Sequence, residues 1–292
     1  MIGISGTTKN LGVIGWPIAH SLSPAIQSAA IRAAGVDYAY IAMPVRPEEL
    51  AKAAEGLRAL GFRGFNVTIP HKTAIIDFLD EIDENARRIG AVNTVVNEDG
   101  KLLGRNTDVA GFLRGLARQN VAIRNKNVVV LGAGGAARAV IWGAGREKAE
   151  KITVGVRNVE KAKNALADLS GIADLDVCSW SGDRFEAALG KADILVNTTP
   201  LGMTPKIDEA PPVDWNHVWP EAFVYDIIYT PGRTRFLREA DARGHRVLNG
   251  TAMLAGQGAE AFAIWTGIRP DEDAMEMALL NALRAKEQEA EE

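Results

Sequence analysis

The segment that most constrains the fold is a glycine-rich stretch, Gly132 to Ala137 (GAGGAA), which follows an apolar run and leads into a helical pattern. A strand, a glycine turn and a helix in this order are typical of the first βαβ unit of a dinucleotide-binding sheet. The glycines let backbone amides approach a pyrophosphate at the positive end of the helix. An ordinary tight turn is the alternative. We predict that the turn binds a dinucleotide through Gly132, Ala133, Gly134, Gly135 and Ala136.

Short β-branched runs alternate with longer helical stretches along the 292 residues, a pattern typical of an α/β fold with parallel strands. In the second half, strands are predicted at 127–131, 152–156, 175–178, 194–197, 223–228 and 246–248, which matches a doubly wound sheet. Two helical stretches, 251–265 and 271–285, have no place in that sheet. We therefore predict two domains with ligands in the cleft between them. They are a discontinuous N-terminal α/β substrate domain, 1–108 and 250–292, and a doubly wound Rossmann-type dinucleotide-binding domain, 109–249.

The first domain begins with a predicted strand at 11–14 and a helix marked by turn residues. Ser23 is expected to cap the helix N-terminus, Pro24 to occupy its first position and Gly35 to end it. Further strands are predicted at 38–45, 65–69, 91–96 and 102–105, with an Asp-Gly hairpin turn between the last two.

The end of the second strand of the dinucleotide sheet indicates which cofactor is used, because a carboxylate there holds the ribose hydroxyls of NAD and repels a 2′-phosphate. This position has Arg157 and Asn158, with Lys161 one turn further on, and no acid. Arginine can form a bidentate contact with a phosphate, and lysine can add a second charge. We predict NADP (NADPH) as the cofactor. The alternative is that both cations are solvated residues at a helix start.

A polar loop, 197–203 (NTTPLGM), leaves the fourth strand of that sheet at its carboxyl end, where open α/β sheets bind ligands. An ordinary turn is the alternative. We expect the loop to lie against the nicotinamide. Together with one residue near the end of the fifth strand and one after the sixth, it completes the predicted cofactor site: Thr198, Thr199, Pro200, Met203, Ile227 and Gly250.

Polar residues also follow strands in the first half of the chain. The stretch 20–23 (HSLS) presents two hydroxyls at a helix start, which suits a carboxylate, although simple capping would explain Ser23. The stretch 66–72 (NVTIPHK) places an asparagine, a threonine and a lysine at one sheet edge, and 93–94 (NT) and 106–108 (NTD) end two other strands. Together, Lys72 and Asp108 supply a proton carrier and a carboxylate to orient it.

These segments resemble the shikimate dehydrogenase family across nearly the whole chain. The resemblance is carried, in the family's order, by GWPIAHSLSP (15–24), GFNVTIPHK (64–72), GAVNT (90–94), NTD (106–108), GAGGAA (132–137), NTTPLGM (197–203), DIIYTPGRT (226–234) and NGTAMLAGQGAEAFAIWTG (249–267).

The resemblance implies NADPH-dependent, reversible reduction of 3-dehydroshikimate to shikimate in the biosynthesis of aromatic amino acids through chorismate. It implies Lys72 and Asp108 as the catalytic pair. The substrate-binding residues that it implies are Ser21, Ser23, Asn66, Thr68, Lys72, Asn93, Asp108, Tyr229 and Gln257.

Two positions depart from the family pattern. Gln27-Ser28 stands where the family commonly has His-Asn, and Val156-Arg157 stands in place of Asn-Arg. We expect the first change to be mild, because it lies on a helix beyond the site. The second removes one possible adenosine contact and bears on cofactor preference.

Two other functions remain open at this point. A quinate/shikimate or aminoshikimate-type relative would share the fold but take another substrate or prefer NAD. A non-catalytic NADP-binding regulator would keep the glycine turn but be free to lose Lys72 or Asp108, and both are present.

Composition indicates which classes of partner and which cellular compartment to expect. The net charge of −4 lacks the basic excess of nucleic-acid-binding proteins. One cysteine, Cys178, suits a reducing cytoplasm, and no stretch has the length of a membrane span or the pattern of a secretory signal. We expect a cytoplasmic monomer or homodimer that binds a small-molecule substrate, with no metal, nucleic-acid or membrane partner.

Overall fold

The structure, a computed structural model, describes residues 4–291. The chain forms two compact units. We call the residues up to Thr107 together with those from Ala255 onward the N-terminal unit, and Asp108–Leu254 the central unit. Residues 1–3 and 292, which the predicted substrate domain includes, lie outside the described residues. The assignment of substrate and cofactor roles to the two ranges stays a prediction.

The N-terminal unit is built on a mixed sheet. Its strands are β1 (Lys9–Gly15), β2 (Tyr38–Pro44), β3 (Gly64–Val67), β4 (Glu81–Ile82), β5 (Thr94–Glu98) and β6 (Lys101–Arg105), in the order β2-β1-β3-β5-β6-β4. Strand β1 is parallel to β2 and β3, whereas β5 is antiparallel to β3 and β6. The carboxyl ends of β1 and β3 therefore meet the amino end of β5 at one sheet edge.

The helices of this unit come from both ends of the sequence. They are α1 (Ser23–Ala34), α2 (Leu50–Ala59), α3 (Glu84–Ile89), most of α9 (Thr251–Thr266) and α10 (Glu272–Glu291). Helix α10 packs against α1, and Trp265 of α9 donates a hydrogen bond from Nε1 to the Val95 carbonyl at 2.9 Å. The late helices thus cover part of the sheet that the early chain forms.

The start of α1 differs from the prediction. Leu22 is the N-cap, Ser23 is the first helical residue, and the N-terminus has no side-chain cap. The Ser21 hydroxyl instead accepts a hydrogen bond from the Ser23 amide at 3.3 Å. The expectations that Ser23 caps the helix and that Pro24 is its first residue are therefore wrong, whereas Gly35 ends it with φ +65°, as predicted.

The central unit is built on an all-parallel sheet. Its strands are β7 (Asn127–Leu131), β8 (Lys151–Val156), β9 (Asp174–Ser179), β10 (Ile194–Asn197), β11 (Phe223–Asp226) and β12 (Val247–Leu248), in the order β12-β11-β10-β7-β8-β9. Its helices are α4 (Asp108–Arg118), α5 (Gly135–Arg146), α6 (Val159–Leu166), α7 (Asp183–Leu189) and α8 (Arg235–Asp241). The strand order reverses between β7 and β10, and ligands of such sheets bind at this switch point.

The α/β fold predicted from the sequence, with a doubly wound sheet in its second half, is confirmed. The sheet interiors are apolar, with Leu131, Leu195 and Val224 fully buried in the central unit and Phe65 and Val95 in the N-terminal unit. None of the helices within residues 4–291 combines the length and apolar character needed to cross a bilayer.

Candidate active site

The glycine turn after β7 forms an open backbone cradle. Gly132 has φ +103°, and a Cβ placed on it would lie 3.0 Å from both Thr198 Oγ1 and Thr199 Cγ2. A Cβ placed on Gly134 or Gly135 would have no neighbour within 4 Å, so the space above these residues is open. Helix α5 begins there without a side-chain cap. Uncapped amides facing open space at a helix N-terminus suit a pyrophosphate.

The end of β8 presents cations beside this cradle in the sheet. Arg157 and Lys161 are exposed, and neither forms an ion pair with an acidic side chain in the part of the chain that the structure describes. Asn158 caps α6, its Oδ1 accepting from the Lys161 amide at 2.9 Å. Val156 is buried, 6% exposed. The two cations are therefore available to an anionic group, while Asn158 has a structural role at the helix start.

The polar loop after β10 is tied to the neighbouring strands. The Thr198 hydroxyl donates to the Leu131 carbonyl at 2.6 Å, and Asn197 Oδ1 accepts from the Thr199 amide at 2.9 Å and the Thr199 hydroxyl at 2.7 Å. Pro200 and Met203 are exposed beyond these anchors. The loop thus has a fixed base and an accessible tip.

Asp226, the last residue of β11, forms hydrogen bonds with the residue at the base of this loop and with the N-cap of α8. Its carboxylate is fully buried and accepts from Asn197 Nδ2 at 3.0 Å, the Ile228 amide at 3.1 Å and the Thr234 hydroxyl at 2.6 Å. Thr234 in turn caps α8 by accepting from the Leu237 amide. Burial raises the pKa of Asp226 to about 6, against the opposing effect of its three donors.

The chain after β11 passes very close to the residue that follows β12. A Cβ placed on Gly250 would lie 1.9 Å from the Ile227 carbonyl oxygen, and the Gly250 amide donates to the Ile228 carbonyl at 2.9 Å. Only glycine fits this contact. Tyr229 is half-buried just beyond it, and burial raises the pKa of its phenol.

A network of amides and hydroxyls occupies the edge of the N-terminal unit where β3, β5 and β6 end or begin. Asn66 is 5% exposed and donates from Nδ2 to the Asn93 carbonyl at 3.0 Å and to Thr94 Oγ1 at 3.1 Å. Asn93 Oδ1 accepts from the Thr107 amide at 2.8 Å. Asn93 is 2% exposed, and its Nδ2 donates to Gln257 Oε1 at 3.5 Å.

Thr68 and Lys72 lie in the loop that follows β3. The loop is fixed at both ends, because the Thr68 amide donates to the Ile14 carbonyl at 3.0 Å and the Lys72 carbonyl accepts from the Val92 amide at 2.8 Å. Both side chains are half-exposed. Asp108, 7% exposed, is the first residue of α4 in the central unit.

The structure therefore gathers Asn66, Asn93 and Gln257 into one network and places Thr68 and Lys72 on one anchored loop. Two buried polar residues that sequence reasoning did not single out also belong to these regions, Tyr40 and Asp226. In the sequence, Tyr40 is an ordinary strand residue. Asp226 interrupts the apolar run 223–229, and a charged residue inside such a run was the available signal.

Two family models match the chain. The shikimate dehydrogenase substrate binding domain matches residues 13–95, and the shikimate 5′-dehydrogenase C-terminal domain matches residues 250–280. Among curated relatives, shikimate dehydrogenase (NADP(+)) of Geobacter metallireducens is 44% identical over 96% of this chain and 99% of its own length. That of Geobacillus kaustophilus is 43% identical over 94% and 99%.

Solved structures give the same result for the fold and show a range of substrates. A shikimate dehydrogenase in complex with NADP+ has a TM-score of 0.89 at 39% identity, covering 96% of this chain and 98% of its own. A 5-ketofructose reductase of Gluconobacter sp. strain CHM43 has a TM-score of 0.86 at 37% identity, covering 95% and 99%. A quinate dehydrogenase from Corynebacterium glutamicum in complex with NAD has 0.86 at 31%, covering 94% and 99%. By sequence identity along nearly its full length, the chain belongs to the shikimate dehydrogenase family.

Proposed function

We propose that this protein is an NADP-dependent shikimate dehydrogenase, an oxidoreductase that reversibly reduces 3-dehydroshikimate to shikimate in aromatic amino-acid biosynthesis. The observation that carries the proposal is the identity of 44% to a curated NADP-dependent shikimate dehydrogenase over nearly the full length of both chains. The open amide cradle and the amide and hydroxyl network support it, since they suit a dinucleotide and a polyhydroxylated substrate.

The cofactor residues that we propose follow from the contacts in the central unit. Backbone amides at 132–136 hold the pyrophosphate, and Arg157 with Lys161 holds the 2′-phosphate of NADP. The anchored loop of Thr198 and Thr199, with Pro200 and Met203 at its tip, and the backbone at Ile227 and Gly250 border the nicotinamide. We assign Asn158 a structural role in the cofactor site, because its Oδ1 caps the start of α6.

The chemistry that we propose is hydride transfer coupled to proton transfer. When bound, NADPH supplies the hydride that adds to the ketone carbon. The Lys72 ammonium donates a proton to the ketone oxygen, on which negative charge grows, so that the ketone becomes an alcohol. In the reverse direction the Lys72 amine accepts that proton, and the Asp108 carboxylate orients the lysine and the substrate hydroxyl.

The substrate contacts that we propose use both ends of the polar edge. The hydroxyls of Ser21 and Ser23 take the carboxylate, and Tyr229 adds a contact from the central unit. The Asn93 amide, the Thr68 hydroxyl and the Gln257 amide take the ring hydroxyls. Asn66 has both amide hydrogens engaged within the unit, so a supporting role fits it better than donation to substrate.

The 5-ketofructose reductase and quinate dehydrogenase neighbours define the competing substrates. Steady-state assays should compare shikimate and quinate, each with NADP and with NAD, and 5-ketofructose reduction with NADPH. We expect kcat/KM to be highest for shikimate with NADP. A higher value for quinate, for 5-ketofructose or for either substrate with NAD would overturn the proposal. A Lys72→Met preparation, purified identically, controls for a contaminating dehydrogenase.

We also propose that the protein acts in the cytoplasm on a small-molecule substrate, as a monomer or homodimer. Its single cysteine, Cys178, is buried and suits a reducing compartment. Fractionation of the native host and light scattering of the purified protein test these two points.

A further inference from the structure

The N-terminal unit contains a buried phenol whose hydroxyl contacts one of the residues just described. Tyr40 lies on β2, is 6% exposed, and pairs in register with Leu11 of β1. Its hydroxyl donates to Asn66 Oδ1 at 2.7 Å. Its ring packs against Trp265 with centroids 6.1 Å apart.

In this hydrogen-bond network one group, a backbone carbonyl, can only accept. It fixes the direction of the other hydrogen bonds. The Asn93 backbone carbonyl can only accept, so the amide nitrogen of Asn66 must face it and Asn66 Oδ1 must face Tyr40. The Tyr40 hydroxyl therefore donates its single proton to Asn66 Oδ1.

This phenol remains a neutral donor over the pH range in which proteins are studied. Burial raises the pKa of Tyr40 well above its usual range. The buried oxygen of Asn66 has no other hydrogen-bond donor among the contacts that the structure describes. Removing the Tyr40 hydroxyl would leave that oxygen unsatisfied, which favours rearrangement of the Asn66 side chain.

We propose that Tyr40 is a positioning residue of the substrate site: its hydroxyl fixes the orientation of Asn66, which lies beneath the hydroxyl-binding end. The inference rests on the proposed function, since it takes the substrate to bind at Asn93. Asn66 transmits the effect, because it holds the Asn93 carbonyl and Thr94 in the same network.

The test is Tyr40→Phe, which removes the hydroxyl and keeps the ring that packs on Trp265. We expect KM for shikimate to rise about tenfold, with kcat and KM for NADP within about twofold of wild type, because Tyr40 acts on substrate placement alone. The matched control is Tyr38→Phe, two residues earlier on β2, where the phenol lies half-exposed beneath the Lys9 ammonium. Tyr38→Phe should leave all constants unchanged.

A double variant then distinguishes a positioning role of Tyr40 from a general loss of structure. In an Asn66→Ala background, Tyr40→Phe should raise KM by a smaller factor than it does in wild type, because the hydrogen-bond partner of the Tyr40 hydroxyl is already gone. Equal factors in the two backgrounds, an unchanged KM in Tyr40→Phe, or equal effects of Tyr40→Phe and Tyr38→Phe would each overturn the proposal. The wild-type assays decide the proposed function separately, since they do not depend on Tyr40.

Discussion

The buried carboxyl of Asp226 predicts a pH dependence of stability that one substitution should remove. Its folded-state pKa is about 6, against an ordinary value of about 3.9 for an unfolded chain. Below about pH 4 the group is protonated in both states. Between these values the folded state holds the proton and the unfolded chain does not, so stability is lost as pH rises through about 6. At 1.36 kcal/mol per unit, the loss is about 3 kcal/mol and is complete above about pH 7.

Asp226→Asn removes the titration and keeps an oxygen that can accept from Asn197 and Ile228. The free energy of unfolding of Asp226→Asn minus that of wild type should therefore become more positive by about 3 kcal/mol between pH 4 and pH 7. The assay is urea unfolding at half-unit pH steps, monitored by circular dichroism. Asp208→Asn, an exposed acid of the same unit, controls for the change in net charge. A difference that stays flat over this range, or that falls, would refute burial as the dominant influence on Asp226.

The remaining predictions concern catalysis, cofactor choice and packing. Lys72→Met should lower kcat by about 10²- to 10⁴-fold with little change in KM for shikimate, because proton donation stabilises mainly the transition state. Arg157→Ala should raise KM for NADP by about tenfold or more and leave KM for NAD unchanged, since only NADP carries the 2′-phosphate. Gly115→Ala should destabilise the protein by about 1–3 kcal/mol, because its Cβ would lie 2.5 Å from the Tyr225 hydroxyl oxygen. Gly56→Ala, whose Cβ meets nothing within 4 Å, should stabilise α2 by about 0.5–1 kcal/mol.

Each of these has a measurement that can contradict it. Near-normal turnover in Lys72→Met would mean that another group carries the proton, and equal effects of Arg157→Ala on NADP and NAD would remove the phosphate assignment. Melting temperatures of the two alanine variants are best measured together. If Gly115→Ala is as stable as Gly56→Ala, the packing of α4 on Tyr225 is looser than its distances indicate.

Much of the fold follows from local sequence, because most strands of the central unit are short apolar runs bounded by turns. The prediction missed β4, whose two residues, Glu81 and Ile82, are too few to show a pattern. It also misplaced the start of α1, since Ser23 is a favoured N-cap residue by type, whereas the backbone geometry puts Leu22 at the N-cap.

The supporting residues of the site were not predictable in the same way. Tyr40 and Asn66 meet across two strands that are separated by a helix and a loop, and Asn93 approaches Gln257 from the far end of the chain. Such contacts depend on sheet order and register, which local propensity does not specify. Asp226 shows the same limit, because its burial results from helix α8 and the loop after β10 closing over it.

The division of the N-terminal unit between the two ends of the sequence has a consequence for how the protein is made. On the ribosome, the strands of its sheet emerge first, but Trp265 and α10 follow only after about 150 residues of the central unit. At 5–20 residues per second, the delay is about 7 to 30 seconds. During that time the Val95 carbonyl lacks its indole partner and the face of α1 that receives α10 is uncovered. The first part of the chain to be synthesised is therefore the last to complete its structure, and the nascent protein most needs protection from aggregation before its final helices are translated.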